Sequence, residues 1–229
     1  VVDDNVYVTI RVSKGMQFDD CYVVCLDAET GKYRWNCYIS SANSMFNPYE
    51  GQLQGEPEAA AELAYASGRL YVLTNIGALA AIDAYGGRII WLSIYPRDPS
   101  QIASAGMQAG WFRGNGEPPD HSNTHKPWMG GPVVVESGHV FVLPADGLYL
   151  NIYDAGSGIE LKRLDLHQFC TMDLPQRPSD TLLAAKGSTV LISAPTATYN
   201  VDWEKYDRAS FNPKHDQSVI WRETFSPAL

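Results

Sequence analysis

Short apolar runs separated by polar turns set the pattern of this chain. Val6-Tyr7-Val8, Leu70-Tyr71-Val72, Ala78-Leu79-Ala80-Ala81-Ile82, Val133-Val134-Val135, Val140-Phe141-Val142 and Leu182-Leu183-Ala184-Ala185 are each only a few residues long. Runs of that length bounded by Gly, Asp, Asn and Ser read as strands. No heptads, low-complexity tracts or long amphipathic helices interrupt them.

One stretch organises the rest. Leu26-Asp27-Ala28-Glu29-Thr30-Gly31-Lys32-Tyr33-Arg34-Trp35 has an apolar lead-in, a tight turn and an apolar exit, which predicts a β-hairpin. Asp27 can accept backbone amides in the turn, and Gly31 can take the positive φ that such loops need. The layout recurs at Ile82 to Trp91 and at Tyr153 to Lys162, with Lys162 in the Trp slot. Asp and Gly stand four apart in all three copies, and Asp and the Trp slot eight apart. A fourth copy reads as degraded: Val219-Ile220-Trp221 survives and Gln217 stands where Gly is expected.

A second repeat precedes each hairpin. Gly68-Arg69-Leu70-Tyr71-Val72 matches Gly138-His139-Val140-Phe141-Val142, and more loosely Gly187-Ser188-Thr189-Val190-Leu191 and Asp4-Asn5-Val6-Tyr7-Val8. With a further apolar run before it, the unit is four short strands, and the chain holds about four units. A unit of this kind cannot bury both faces alone, so neighbours stack. Radial stacking of four-stranded antiparallel units is a β-propeller. The expectation is an all-β fold and one propeller segment over residues 1–229. Its blades fall at about 1–40, 57–96, 128–168 and 178–225, with an insertion loop at 97–127. Val1 to Ile10 reads as a strand pair at best, Arg11 to Asp20 as a polar insertion, and Thr196 to His215 has no assigned place.

The Leu-Asp-Ala-x-Thr-Gly-x-x-x-Trp block and the Gly-x-Val-Tyr-Val block resemble the pyrroloquinoline-quinone-like propeller repeat. That repeat is shared by quinoprotein dehydrogenases, outer-membrane assembly lipoproteins and many bacterial propellers. Asn75 to Asp83 also resembles large planctomycete-type members. The resemblance implies a ring of more than four blades, so the rest of the ring would lie in another segment or chain. It also implies a bacterial cell-envelope or periplasmic setting. The dehydrogenases of the family carry two adjacent cysteines beside the quinone, with carboxylate and amide ligands for calcium. This chain has no Cys-Cys pair and no matching ligand set.

Composition narrows the partners. The 229 residues are 45% hydrophobic with net charge −9, which gives no basic footprint for nucleic acid or an anionic membrane. No apolar run approaches the ~18 residues of a membrane span. The chain opens in mid-unit without an initiator Met, which predicts a processed or excised piece of a longer protein.

Cys21, Cys25, Cys37 and Cys170 form no metal or haem motif. Cys21 and Cys25 are roughly 13 Å apart along a strand and cannot bond to each other. A symmetric turn puts Cys21 opposite Tyr38, and a one-residue shift puts it opposite Cys37. Two states stay open: four free buried thiols, or a Cys21–Cys37 cross-strand disulfide.

Long loops on one side of a rigid scaffold are where binding usually sits. The tight hairpin turns share one face of the propeller, and the insertions are expected on the other. The longest insertion holds Trp111, Arg113, His121, His125 and Trp128. The His121/His125 spacing suits a metal only on a helix, and the surrounding Asn, Pro and Gly oppose one. Trp and Arg are enriched at protein interfaces, although these side chains can equally fold back onto the loop itself. Asp3-Asp4 and Asp19-Asp20 read as turn or edge carboxylates, because neighbours on a strand point to opposite faces. The reading is therefore a non-catalytic scaffold or binding module without cofactor, bound to a protein partner or to the remaining blades. The alternative is a quinone-dependent dehydrogenase.

Overall fold

The computed structural model describes residues 1–14, 18–43, 61–97, 132–147, 149–165, 168, 181–194, 197–212 and 216–224. They form antiparallel sheets, with no α-helix among the described residues. Blade 1 is β1 (Asn5–Lys14), β2 (Phe18–Asp27) and β3 (Tyr33–Asn43). Blade 2 is β4 (Glu62–Ala66), β5 (Arg69–Leu73), β6 (Ala78–Asp83) and β7 (Ile89–Ile94). Blade 3 is β8 (Val134–Glu136), β9 (His139–Val142), β10 (Tyr149–Asp154) and β11 (Glu160–Asp165). Blade 4 is β12 (Thr181–Lys186), β13 (Thr189–Ala194), β14 (Ala197–Asp202) and β15 (Val219–Thr224). In every sheet the strands lie in chain order, the meander of a propeller blade.

Blade 1 corrects the sequence reading in two ways. Arg11 to Asp20 is not a polar insertion, because β1 runs through Lys14 and β2 starts at Phe18. Thr9 and Arg11 alternate with Val8, Ile10 and Val12 and lie on the other face of the strand, where they donate to the Ala61 and Thr74 carbonyls at 2.9 Å. Among the described residues the blade also has three strands, not four. The inner strand is represented only by Val2, which bridges to Asn5 around Asp3 at φ 48. Ala66 pairs with Arg69 around Ser67 at φ 50 in the same way.

The core lies between blades. Cys21, Val23, Cys37 and Ile39 of blade 1 pack on Leu70, Val72, Ala80 and Ile82 of blade 2. Tyr71, Leu79, Ala81 and Trp91 of blade 2 pack on Val140, Val142 and Tyr153 of blade 3. Phe141, Leu150, Ile152 and Leu164 of blade 3 pack on Val190, Ile192, Tyr199 and Val201 of blade 4. Among the described residues no core cluster joins blade 4 to blade 1. Each inner strand pair therefore has one face turned to the preceding blade and one to the next, as β alternation requires.

The disulfide alternative is corrected. Cys21 faces Ser40 and Cys37 faces Val23, because irregularities at Cys21/Tyr22 and Cys25/Leu26 shift the β2–β3 register beyond either expected pairing. Cys21, Cys25 and Cys37 are free and buried. Burial pushes the Cys21 thiol up to about 11, and it raises Cys25 and Cys37 as well.

Candidate interaction surface

The hairpin turns form as the sequence predicts. Asp27 Oδ1 accepts the Glu29 and Thr30 amides at 3.2 and 2.8 Å and the Thr30 hydroxyl at 2.7 Å. Thr30 and the Arg34 guanidinium hold the Asp27 carboxyl well below the usual carboxylate range. Asp154 does the same with the Ser157 amide and hydroxyl, which lower its pKa. Gly31, Gly87 and Gly158 have φ +66, +68 and +73.

These turns do more than reverse the chain. After each hairpin, the outer strand carries a β-bulge or irregularity, and the paired residue just after it is Trp35, Trp91, Lys162 or Trp221 in blades 1 to 4. Trp35 lies flat under the turn of blade 2, where a Cβ on Gly87 would come within 2.6 Å of its ring. Trp91 lies under the turn of blade 3, where a Cβ on Gly158 would come within 2.5 Å. The glycine is required twice at these joints, for its φ and for the close approach of the indole. Hydrogen bonds complete the joint. Tyr7 donates to the Ala84 carbonyl at 2.9 Å, and Tyr71 and Trp91 Nε1 donate to the Ala155 carbonyl at 3.2 and 3.1 Å.

The joint between blades 3 and 4 is rebuilt. Lys162 replaces the Trp, and the fourth turn is long, so Asp202 bonds to Ser218 where Asp83 bonds to Arg88. Asp202 is the missing fourth Asp, and the unplaced segment contains strand β14 and this expanded turn. Trp203 occupies the slot of Ala84 and Ala155: its amide bonds to Ser188 as theirs bond to Gly68 and Gly138. Its ring packs on Phe141 and His139 at 6.1 and 5.2 Å, and Nε1 donates to the Gly187 carbonyl at 3.2 Å. The aromatic lost from blade 3 is thus supplied from blade 4. Lys162 Nζ donates to the Glu204 carbonyl at 2.7 Å, and Arg208 pairs with Asp165 at 3.0 Å. One hairpin face is therefore not plain, since the fourth turn carries a folded excursion.

At the opposite end of the blades, Tyr95 and Arg97 leave β7 and meet the β9–β10 turn. The Tyr95 hydroxyl donates to Asp146 Oδ1 and Arg97 Nε to Asp146 Oδ2, both at 2.7 Å. Burial raises the Asp146 carboxyl by more than these donors lower it. Arg97 bridges to Gly147, so the long insertion starts on the side away from the Gly87 turn. Trp111, Arg113, His121, His125 and Trp128 lie outside the described residues.

Among the described residues, no blade packs on either end face. Val6 and Val8 of blade 1 stand where blade 2 has Leu70 and Val72, blade 3 has Val140 and Val142, and blade 4 has Val190 and Ile192. Those six residues are at most 1% exposed, whereas Val8 is 40% exposed. Ile10, Val12, Tyr33 and Tyr38 extend the same exposed apolar face. Nothing lies within 4 Å of a Cβ built on Gly31. At the other end Trp221 is 44% exposed, against 9% for Trp91. The sequence named Trp221 and Gly31 and implied that further blades complete the ring, but not which side chains face them.

The family model described as outer membrane protein assembly factor BamB matches residues 19–223. The chain belongs to this PQQ-like propeller family. Among solved structures, the family member BamB from Moraxella catarrhalis is similar at 13% identity and a TM-score of 0.48, over 94% of this chain and 49% of that one. A quinohemoprotein alcohol dehydrogenase, ADHIIG from Pseudomonas putida HK5, is similar at 14% identity and a TM-score of 0.48, over 99% of this chain and 37% of that one. A europium-containing methanol dehydrogenase is similar at 18% identity over 71% of this chain, with a TM-score of 0.38. The chain spans about half the length of the first and less of the other two. No significant match is found among curated protein sequences.

The chain has no adjacent cysteine pair of the kind the resemblance implies beside a quinone. The three cysteines among the described residues are separated along blade 1 and buried, with Cys21 and Cys37 in its joint to blade 2. No group of three or more His, Cys, Asp and Glu among the described residues is placed to hold a metal.

Proposed function

We propose that the chain is a non-catalytic propeller scaffold that binds protein in an extracytoplasmic assembly. The observation that carries this is the open apolar face of blade 1. Val8, Ile10, Val12, Tyr33 and Tyr38 are 40–62% exposed at one end of a stack whose internal faces are closed. Contiguous exposed apolar surface of this kind marks protein contacts in soluble proteins. The family's description as an assembly factor agrees with that role. The acidic balance of net charge −9 favours protein over nucleic acid or anionic lipid. The insertion at 97–127, with Trp111, Arg113, His121 and His125, and the adjoining Trp128 offer a second contact region on the residue types alone.

Cross-linking followed by co-purification from the native source tests this. A stoichiometric protein partner is expected, linked through blade 1 or the insertion. Dye-linked alcohol oxidation by the chain after addition of the quinone and calcium, with no partner recovered, would overturn the scaffold reading.

A further inference from the structure

Blade 2 has both of its neighbours in the structure, and its outer strand differs from the other three. β7 pairs with β6 on one side, and among the described residues no strand pairs with its other side. Ile90, Leu92 and Ile94 stand one before, one after and three after the Trp slot, and are 42, 44 and 69% exposed. The same positions hold Arg34, Asn36 and Tyr38 in blade 1, Leu161, Arg163 and Asp165 in blade 3, and Ile220, Arg222 and Thr224 in blade 4. Each of those edges carries at least one charge, which is how natural sheets keep a foreign strand from pairing. The edge of β7 carries none. Its backbone is turned to match. Tyr95 donates its amide to the Gly77 carbonyl at 3.1 Å, and the register runs unbroken from Ala78↔Ile94 to Ala81↔Trp91. Bonded and non-bonded residues alternate along an antiparallel pair. Ser93, like Tyr95, therefore turns its backbone groups to β6, and Leu92 and Ile94 turn theirs outward. Aliphatic side chains and outward backbone donors and acceptors thus sit on the same residues.

We propose that β7 takes an extended segment of a partner protein as a fifth strand of blade 2. The proposal rests on the scaffold reading and names a docking edge and the chemistry of its occupant. Backbone bonds to Leu92 and Ile94 supply the affinity, and alternate side chains of the segment supply the selectivity, as in other strand additions. The segment runs antiparallel to β7, as β6 does on the other side. It is aliphatic at every second residue, where it meets Ile90, Leu92 and Ile94. Its charge follows from the surroundings of the edge. Arg88 to Arg97 contains no acidic residue in a chain of net charge −9, and Arg88 is exposed at the start of β7. An acidic residue just after the apolar run of the segment is complementary to Arg88.

Residue-resolved amide hydrogen exchange on the purified 229-residue chain tests this. The probe is an acetylated and amidated peptide that alternates threonine with isoleucine or valine and ends in aspartate. In the chain alone, the Leu92 and Ile94 amides are expected to exchange fast while Ser93 and Tyr95 are protected. The peptide is expected to bind saturably and to protect Leu92 and Ile94 as well. Leu92→Lys places a charge on the edge, and Leu92→Pro removes the outward N–H while leaving the bonds to β6 in place. Each is expected to weaken binding about tenfold or more, whereas Leu161→Lys on blade 3 leaves it unchanged. Circular dichroism confirms that the variants are folded, and Leu92→Lys carries the test where the proline is not tolerated. Leu92 and Ile94 amides already protected in the chain alone overturn the proposal, since another segment then covers the edge. No saturable binding overturns it too. So does a folded Leu92→Pro that binds like the parent, because that marks a side-chain contact with no added strand. A partner still recovered from the native source with Leu92→Lys removes only this edge and leaves the scaffold reading standing.

Discussion

At the scale of single residues, the three hairpin glycines look alike in sequence and in φ but differ in what lies above them. Alanine at any of the three puts an L residue in the left-handed region, at about 1–2 kcal/mol. At Gly87 and Gly158 the new Cβ also enters the Trp35 or Trp91 ring at 2.5–2.6 Å, and overpacking adds about 1–3 kcal/mol. Gly87→Ala and Gly158→Ala are therefore expected to lose about 2–5 kcal/mol, and Gly31→Ala only the backbone strain. Chemical denaturation of the three variants checks this, and equal losses would show that the indole contact carries no weight. The sequence made Asp27 and Gly31 legible because turn chemistry is local: a carboxylate accepts amides two and three residues on, and glycine alone takes the φ freely. It could not show the indole above Gly87, because that contact joins residues fifty positions apart, in different blades.

At the scale of strands and turns, the misreadings have a common cause. Arg11, Ser13 and Lys14 look like a loop in composition, yet β1 runs through them because they pair in unbroken register with β2. The β2–β3 pairing was expected to follow from a symmetric turn, but two irregularities moved Cys21 from Tyr38 to Ser40. Irregularities of this kind leave no mark in residue types. The fourth hairpin seemed degraded because Gln217 stood in the Gly slot, whereas the turn had expanded and Asp202 had kept its place. Lys162 and Gln217 are consistent with each other: with no indole from blade 3, no glycine is required opposite it. Trp203 fills the vacated aromatic position from the other side and is 6% exposed. Trp203→Ala is accordingly expected to cost about 3–5 kcal/mol, the range for a buried large aromatic. Trp221→Ala is expected to stay within about 0.5 kcal/mol, as for surface positions. Paired denaturation curves check the contrast. A Trp203→Ala variant as stable as Trp221→Ala would mean that the Lys162 and Arg208 contacts alone hold this joint.

At the scale of the whole chain, stacked blades behave as a nearly one-dimensional array, in which stability is the sum of unit and neighbour terms. Blades 2 and 3 each have two joints and four strands. Among the described residues, blade 1 has one joint, three strands and, at its inner edge, only the Val2 bridge. It is the weakest unit on those grounds, and its opening should precede that of the others. Three thiols report on it directly. Cys21 and Cys37 sit in the joint to blade 2, and Cys25 donates to Asn5 Oδ1 at 3.3 Å within the blade. All three are at most 7% exposed, and their raised pKa values keep them protonated at neutral pH. In the folded state they should resist thiol reagents, since the thiolate is the reactive form. Pulsed labelling across a urea series is therefore expected to trap these cysteines at lower denaturant than the midpoint seen by circular dichroism. Coincident curves would instead mean that the four blades unfold as one cooperative body, with the single joint of blade 1 as strong as the rest.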